Sequence, residues 1–205
     1  MIFFCGIGGV TRGFLNAGID VICGIDKDSS CKATYEFNNI RDNGNPVTFY
    51  NESIEQFDTN IVTRELDEDD KLVLIGCAPC QPFSSISNNG ETKTTERQLL
   101  DLFADKVIEL APDYIFVENV SGLKSSYNKN NKILENFLVK LQEEYSLTTK
   151  IQNAAHFGVA QNRKRLIIFG KRHGEVQHPE PTHGKGKRNI INLRELIGDL
   201  PPIRA

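Results

Sequence analysis

Gly76-Cys77-Ala78-Pro79-Cys80-Gln81-Pro82-Phe83-Ser84 is the stretch on which the reading of this chain turns. It follows Leu72-Val73-Leu74-Ile75, an apolar run of the kind that forms a buried strand in a parallel sheet. Pro79 and Pro82 forbid a helix there and predict a stiff, extended loop. In open α/β sheets, ligands bind at the carboxyl ends of the strands. Cys80 therefore stands on a constrained backbone at the edge where chemistry is expected. Three readings compete. A lone cysteine is most simply a buried, inert thiol. Cys77 and Cys80 also make a C-x-x-C pair, but a structural zinc site needs about four ligands, and neither a second C-x-x-C nor an H-x₃₋₅-H is expected to complete one. A thioredoxin-like pair would open a helix, which Pro82 fits poorly. The third reading is a catalytic thiolate held in a shaped loop.

The nonapeptide as a whole resembles the nucleophile motif of the cytosine-C5 DNA methyltransferases, and further motifs of that family follow in the family's order. The resemblance implies that Cys80 is the nucleophile, with Cys77 and Pro79 lining the cofactor pocket beside it. It also implies the family's fold: a Rossmann-like S-adenosylmethionine-dependent α/β domain whose mostly parallel seven-stranded sheet carries helices on both faces.

The amino-terminal region agrees with such a fold. Met1 to Cys5 reads as a short strand, Val10 to Ala17 as a helix ending at Gly18, and Ile19 to Ile25 as a second strand closed by Asp26. This β-α-β unit has a glycine turn, Gly6-Ile7-Gly8-Gly9, and an acid 20 residues past Gly6. Such an acid can accept both hydroxyls of a ribose. G-x-G alone is weak evidence, and an NAD site would want a third glycine where Thr11 stands. F-x-G-x-G-G resembles the family's S-adenosyl-L-methionine site instead, a cofactor with no pyrophosphate to cradle. By that resemblance Phe4, Gly6, Ile7 and Gly9 line the methionine and adenine ends, Asp26 holds the ribose and Lys27 lies near the adenine. Ser29 to Asn38 is expected to be a helix with Ala33 and Phe37 on one face, and Val47 to Tyr50 a third strand. The family then has an aspartate before an isoleucine, for the adenine amino group. Here the pair is Ser53-Ile54, and the acid is missing unless Glu52 replaces it.

Glu65 to Asp70 holds five acids in six residues and reads as a solvated loop. Residues 85–95 have almost nothing to bury and read as a loop flanking the nucleophile, which in the family closes over DNA. Arg97 to Leu110 is an amphipathic helix with Leu99, Leu100, Phe103, Val107 and Leu110 on its apolar side. The resemblance allows Leu100 to touch the cofactor, though packing accounts for it nearly as well. Tyr114 to Val117 is a fifth strand ended by Glu118-Asn119-Val120. As the family's E-N-V motif, Glu118 meets N3 of cytosine and Asn119 braces the loop. Lys132 to Tyr145 reads as a helix, Ser146 to Asn153 as strand six and Leu166 to Gly170 as strand seven. Between the two strands, Gln161-Asn162-Arg163-Lys164-Arg165 resembles the family's Q-x-R-x-R. There Arg165 donates to cytosine O2, and Arg163 supports the Cys80–Glu118 site.

Composition bounds the partners. The 205 residues suit one domain, 1–205, with 39% hydrophobic and 25% charged content. No apolar run approaches the roughly 18 residues of a membrane span, no signal peptide is recognisable, and an odd five cysteines suggest a reducing, cytoplasmic setting. No metal is expected. The net charge is −3, yet residues 161–194 hold nine Lys/Arg against two acids, which leaves −10 on the remainder. A basic segment suits phosphate contact with double-stranded DNA. Arg194 to Pro201 also resembles a family segment, after which a target-recognition domain and a final G-N-S-V-type segment are expected. A second polypeptide is one way to supply them. Methylation of transfer RNA, a cofactor-binding subunit without activity of its own, and a dinucleotide oxidoreductase stand as alternatives.

Overall fold

The computed structural model describes residues 1–79, 96–124 and 132–201. Seven strands form one sheet: β1 Ile2–Phe3, β2 Cys23–Ile25, β3 Thr48–Tyr50, β4 Val73–Gly76, β5 Tyr114–Val120, β6 Ser146–Asn153 and β7 Lys164–Lys171. Their order is β3-β2-β1-β4-β5-β7-β6, with β1 to β5 parallel and β7 antiparallel to both neighbours. The order reverses between β1 and β4, the switch point at which doubly wound sheets bind ligands.

Alternation along the strands sorts the core into two layers. Phe3, Ile25, Leu74, Ile115 and Val117 face one layer, under α4 Glu96–Leu110 and α5 Lys132–Leu141. Ile2, Phe49 and Ile75 face the other, under α1 Gly9–Asn16 and α2 Lys32–Asn38. Two short helices complete the chain, α3 Asn60–Thr63 and α6 Leu193–Ile197. Gly76 is required by packing: a Cβ there would come within 2.8 Å of the Phe103 ring. The glycine at the head of the nonapeptide thus lets α4 sit close on the sheet.

Several boundaries differ from the sequence reading. β1 and β2 are shorter than expected because Phe4 takes a positive φ of 57° and Val21 precedes the ladder. Residues 29–31 are a 3₁₀ turn, and α2 begins only at Lys32. The α2 face was misassigned: Phe37 is 81% exposed, and Tyr35 is wholly buried in its stead. α5 stops at Leu141, four residues early. β6 has the expected bounds, and β7 extends outward at both ends. In α4, Leu100, Phe103 and Val107 are buried, as their spacing predicts. Among the described residues no helix is long and apolar enough to cross a membrane.

Candidate active site

The strand register lines up one row. Phe3 stands opposite Ile25 and Gly76, Ile25 opposite Tyr50, and Gly76 opposite Val117. The next residue of each parallel strand is therefore Phe4, Asp26, Asn51, Cys77 and Glu118. Four of these five are residues singled out from sequence, and they share one edge. Backbone hydrogen bonds continue the row: Asp26 N–H donates to Tyr50 O (3.1 Å) and Cys77 N–H to Phe3 O (3.2 Å).

At the β1 end, Gly6 (φ 50°) and Gly8 (φ 89°) turn the chain into α1. A side chain at Gly8 would strike Tyr35 and Asn39, whereas Cβ atoms at Gly6 and Gly9 would meet nothing within 4 Å. The turn is thus packed behind and open in front. Ile7 projects outward, 61% exposed. Asp26 Oδ2 accepts from Gly6 N–H (2.9 Å) and Oδ1 from Asp28 N–H (3.0 Å). A carboxylate offers about four acceptor positions. Two are used here, so two remain for a pair of vicinal hydroxyls. The open turn and this half-used acid fit a nucleoside cofactor. Lys27 is exposed beside Asp26. Ser53 is half-buried, its Oγ 3.3 Å from Gln56 Oε1. Ile54 and Leu100 lie in the core, 3% and 2% exposed, so they form the floor beneath the edge.

At the β4–β5 end, Glu118 Oε1 is 2.7 Å from Arg165 Nε, with both side chains about a quarter exposed. The pair exists because β7 is antiparallel: Arg165 stands opposite Val120, at the edge where Glu118 ends its row. Arg163 is exposed in the turn before β7, its N–H donating to Asn153 Oδ1 (3.1 Å). The structure thus brings Arg165 onto Glu118 and leaves Arg163 in the adjoining turn. Asn119 is buried and donates from Nδ2 to Ala78 O (3.4 Å), tying β5 to the segment that follows β4. Cys77 is half-buried. Burial, and next the nearby Glu118 carboxylate, push its thiol up to about 12, so it is a neutral thiol at physiological pH. Pro79 is exposed. Cys80, with residues 81–95, lies outside the described residues.

A family model of C-5 cytosine-specific DNA methylases matches residues 2–203. The chain belongs to that family. It is 33% identical over 198 residues to the type II methylase M.HgiDII of Herpetosiphon aurantiacus, covering 96% of this chain and 53% of the relative. It is 32% identical over 227 residues to the type II methyltransferase M.AquIA of Picosynechococcus, covering 97% and 87%. The chain thus spans about half the length of the first relative and most of the second. A solved structure, a candidate DNA modification methyltransferase encoded within a prophage (E. coli), superposes with a TM-score of 0.75 at 22% identity, over 98% of this chain and 55% of that one. That likeness bears on the fold, which is the Rossmann-like fold of the S-adenosylmethionine-dependent methyltransferases.

In this family member the basic segment proves divided. Lys164 and Arg165 enter β7 at the edge that carries Glu118, but Lys171 lies opposite Tyr114, at the other end of the strand. There Arg172 is committed to Ala111 O (3.1 Å) and Glu144 (3.4 Å). The chain then returns. Thr182 and His183 N–H groups both donate to His156 O, which brings residues 182–188 back beside the Asn153–Lys164 end. The basic run of residues 161–194 is therefore not one continuous surface; Arg163, Lys164, Lys185, Lys187 and Arg188 form its edge-side part. Contrary to the expectation that no H-x₃₋₅-H pair exists, His173, His178 and His183 are each separated by four residues and make two such pairs. In the fold, the His178 ring packs on Phe169 (4.9 Å) and His183 Nδ1 meets Thr182 Oγ1 (2.8 Å). Among the described residues no group of three His, Cys, Asp or Glu side chains could hold a metal ion. Sequence reasoning also missed Thr11, Tyr35 and Asn39 behind the glycine turn. The one available signal was Gly24, a glycine inside a strand, which marks close approach by another group.

Proposed function

We propose that this chain transfers a methyl group from S-adenosyl-L-methionine to C5 of cytosine in double-stranded DNA, in the cytoplasm; its match to the C-5 cytosine-specific DNA methylase family supports the reaction. The observation that carries the reading is the single row of Phe4, Asp26, Cys77 and Glu118 at one sheet edge, with Arg165 on Glu118. The cofactor, when bound, supplies an electrophilic methyl on sulfur. Phe4, Gly6, Ile7, Gly9, Asp26, Lys27, Ser53, Ile54, Cys77, Pro79 and Leu100 form its pocket in this reading, with Asp26 taking the ribose.

Cytosine C5 is a poor nucleophile until a thiolate adds at C6. The Cys80 thiolate forms the C6–S bond and its electron pair passes into the ring, where Glu118 protonates or hydrogen-bonds N3 and so takes up the charge, an assistance worth about 10²–10⁴-fold. Arg165 at O2 adds electrostatic stabilisation and keeps Glu118 in place. C5 takes the methyl, a base removes the C5 proton, and the C6–S bond breaks to restore the ring and the thiolate. Arg163 supports this site from the adjoining turn. A duplex hides C6, so the base must be flipped out at a cost of a few kcal/mol. The test is a radiolabelled-methyl assay on duplex DNA and on transfer RNA, with sequence-resolved mapping of product. Methylation of transfer RNA alone would overturn the DNA assignment.

Residues 1–205 form the catalytic and cofactor-binding domain, and 171–205 lead toward target recognition. Ile190, Leu193, Leu196, Ile197 and Leu200, which stand 43–63% exposed on and around α6, offer an apolar surface that a second polypeptide or a further segment of the protein would cover. Phosphate contacts by the edge-side lysines and arginines would position DNA without specifying sequence.

A further inference from the structure

We infer that Tyr35, braced by Thr11 and Asn39, is a positioning residue that sets the glycine turn from behind and thereby the affinity for the cofactor. The inference rests on the reading of the glycine turn as the cofactor site.

Tyr35 lies on α2, wholly buried, its ring 5.4 Å from that of Phe49. Its hydroxyl is 3.0 Å from Thr11 Oγ1, in the first turn of α1, and Thr11 is also wholly buried. Two glycines make room for this side chain. A Cβ on Gly24 would fall on the phenol oxygen and 2.5 Å from Cζ, and a Cβ on Gly8 would lie 2.8 Å from Cδ2 and overlap the Asn39 amide. Asn39 is buried as well; its Nδ2 donates to Tyr35 O (2.7 Å), which holds the last turn of α2 against Gly8. Tyr35 therefore bridges β2, the glycine turn and the start of α1.

The front of the turn is fixed by Asp26 through the Gly6 N–H. The back is fixed by Tyr35 and Asn39 through their packing and through the Thr11–Tyr35 hydrogen bond. A turn clamped on both sides keeps its amides and the Asp26 carboxylate in one geometry. Tyr35 is wholly buried, so its effect on the cofactor passes through the turn. Small displacements of a binding group cost large factors in binding and rate.

The experiment uses the full chain with Tyr35→Phe, Thr11→Val, Gly24→Ala and, as reference, Asp26→Ala. Hydrogen exchange is followed across residues 4–11, and S-adenosyl-L-methionine and S-adenosylhomocysteine binding by calorimetry. The expected result is faster exchange at the Gly6 and Gly8 amides in Tyr35→Phe and Gly24→Ala, about tenfold above any change in β4 and β5, with both nucleosides bound about tenfold more weakly. A merely structural role would speed exchange equally everywhere and leave binding to the folded fraction unchanged, which would overturn the inference. Should Gly24→Ala fail to fold, Tyr35→Phe and Thr11→Val carry the same comparison. If Asp26→Ala weakens binding and neither Tyr35→Phe nor Thr11→Val does, the positioning role fails while the site stands. If Asp26→Ala has no effect either, the site itself is misplaced.

Discussion

The two ends of the functional edge are built in different ways. At the β1–β2 end the working surface is backbone: a glycine turn, clamped between Asp26 in front and Tyr35 behind. At the β4–β5–β7 end it is side chains, Glu118 on Arg165 and Asn119 on Ala78, contributed by strands of opposite direction. The first end depends on its glycines and on the side chains that clamp them. The second depends on paired side chains, because removing one partner of a part-buried ion pair leaves the other uncompensated. Substitutions at the two ends should therefore separate binding from chemistry.

The strongest test of that separation is Cys80→Ser. It should lower methyl transfer by more than about 10³-fold while S-adenosyl-L-methionine still binds with the parent's affinity. DNA carrying 5-fluorocytosine should trap the parent covalently, because fluorine cannot leave as a proton does, and should leave the variant untrapped. Loss of cofactor binding together with activity would merge the two ends into one and break the comparison.

Next in size are Glu118→Gln and Arg165→Ala. Each should reduce the rate about 10²–10⁴-fold, with little effect on cofactor affinity. The pair is a unit, so the double variant should be scarcely worse than the poorer single one. Additive losses would show that the 2.7 Å contact does not couple them.

How much of this was legible in the sequence follows the same division. The glycine turn and the acid 20 residues on are local signals, and they fell where expected. So did β6 and the buried face of α4, whose periodicities span many residues. The Glu118–Arg165 contact was named only as two separate motifs, because nothing local says that β7 runs antiparallel. Tyr35 was missed in favour of Phe37 because a 3₁₀ turn at residues 29–31 delays α2 and rotates its buried face. Hydrophobicity preferred phenylalanine, whereas the site needed a ring with a hydroxyl to reach Thr11. The division of the basic segment was hidden for a related reason, since charge counting is blind to where a strand ends.

At the backbone end the expected effect is smaller. Asp26→Ala removes charge-assisted hydrogen bonds to the ribose and to Gly6, a loss of about 1.5–3 kcal/mol, or roughly ten- to hundredfold in dissociation constant. The turnover number at saturating cofactor should change little. Calorimetry against S-adenosylhomocysteine measures the first and a saturation series the second. A fall in turnover as large as the fall in affinity would mean that Asp26 also serves the chemistry.

The smallest effect is expected at Cys77, which stands in the row between Phe4 and Glu118 and contributes packing to the cofactor pocket rather than chemistry. Its thiol is pushed up to about 12 by burial and then by Glu118, against about 8.5 in an unfolded chain. The folded state therefore holds this proton more tightly. The resulting stability is fully present below the unfolded value and is lost as pH rises toward 12. Cys77→Ser has no group that titrates in that window. It should change methyl transfer by less than about threefold, since the neutral thiol performs no proton transfer or nucleophilic step. Its urea midpoint should fall less steeply than the parent's between pH 9 and 11. Cys5 and Cys23, also raised chiefly by burial, keep a residual slope in both proteins, so the difference between the two curves is the quantity to read. Equal slopes would show that Cys77 is solvated in solution. A collapse of activity in Cys77→Ser would instead make it part of the catalytic end, and the sharp line between a backbone-built and a side-chain-built site would have to be redrawn through β4.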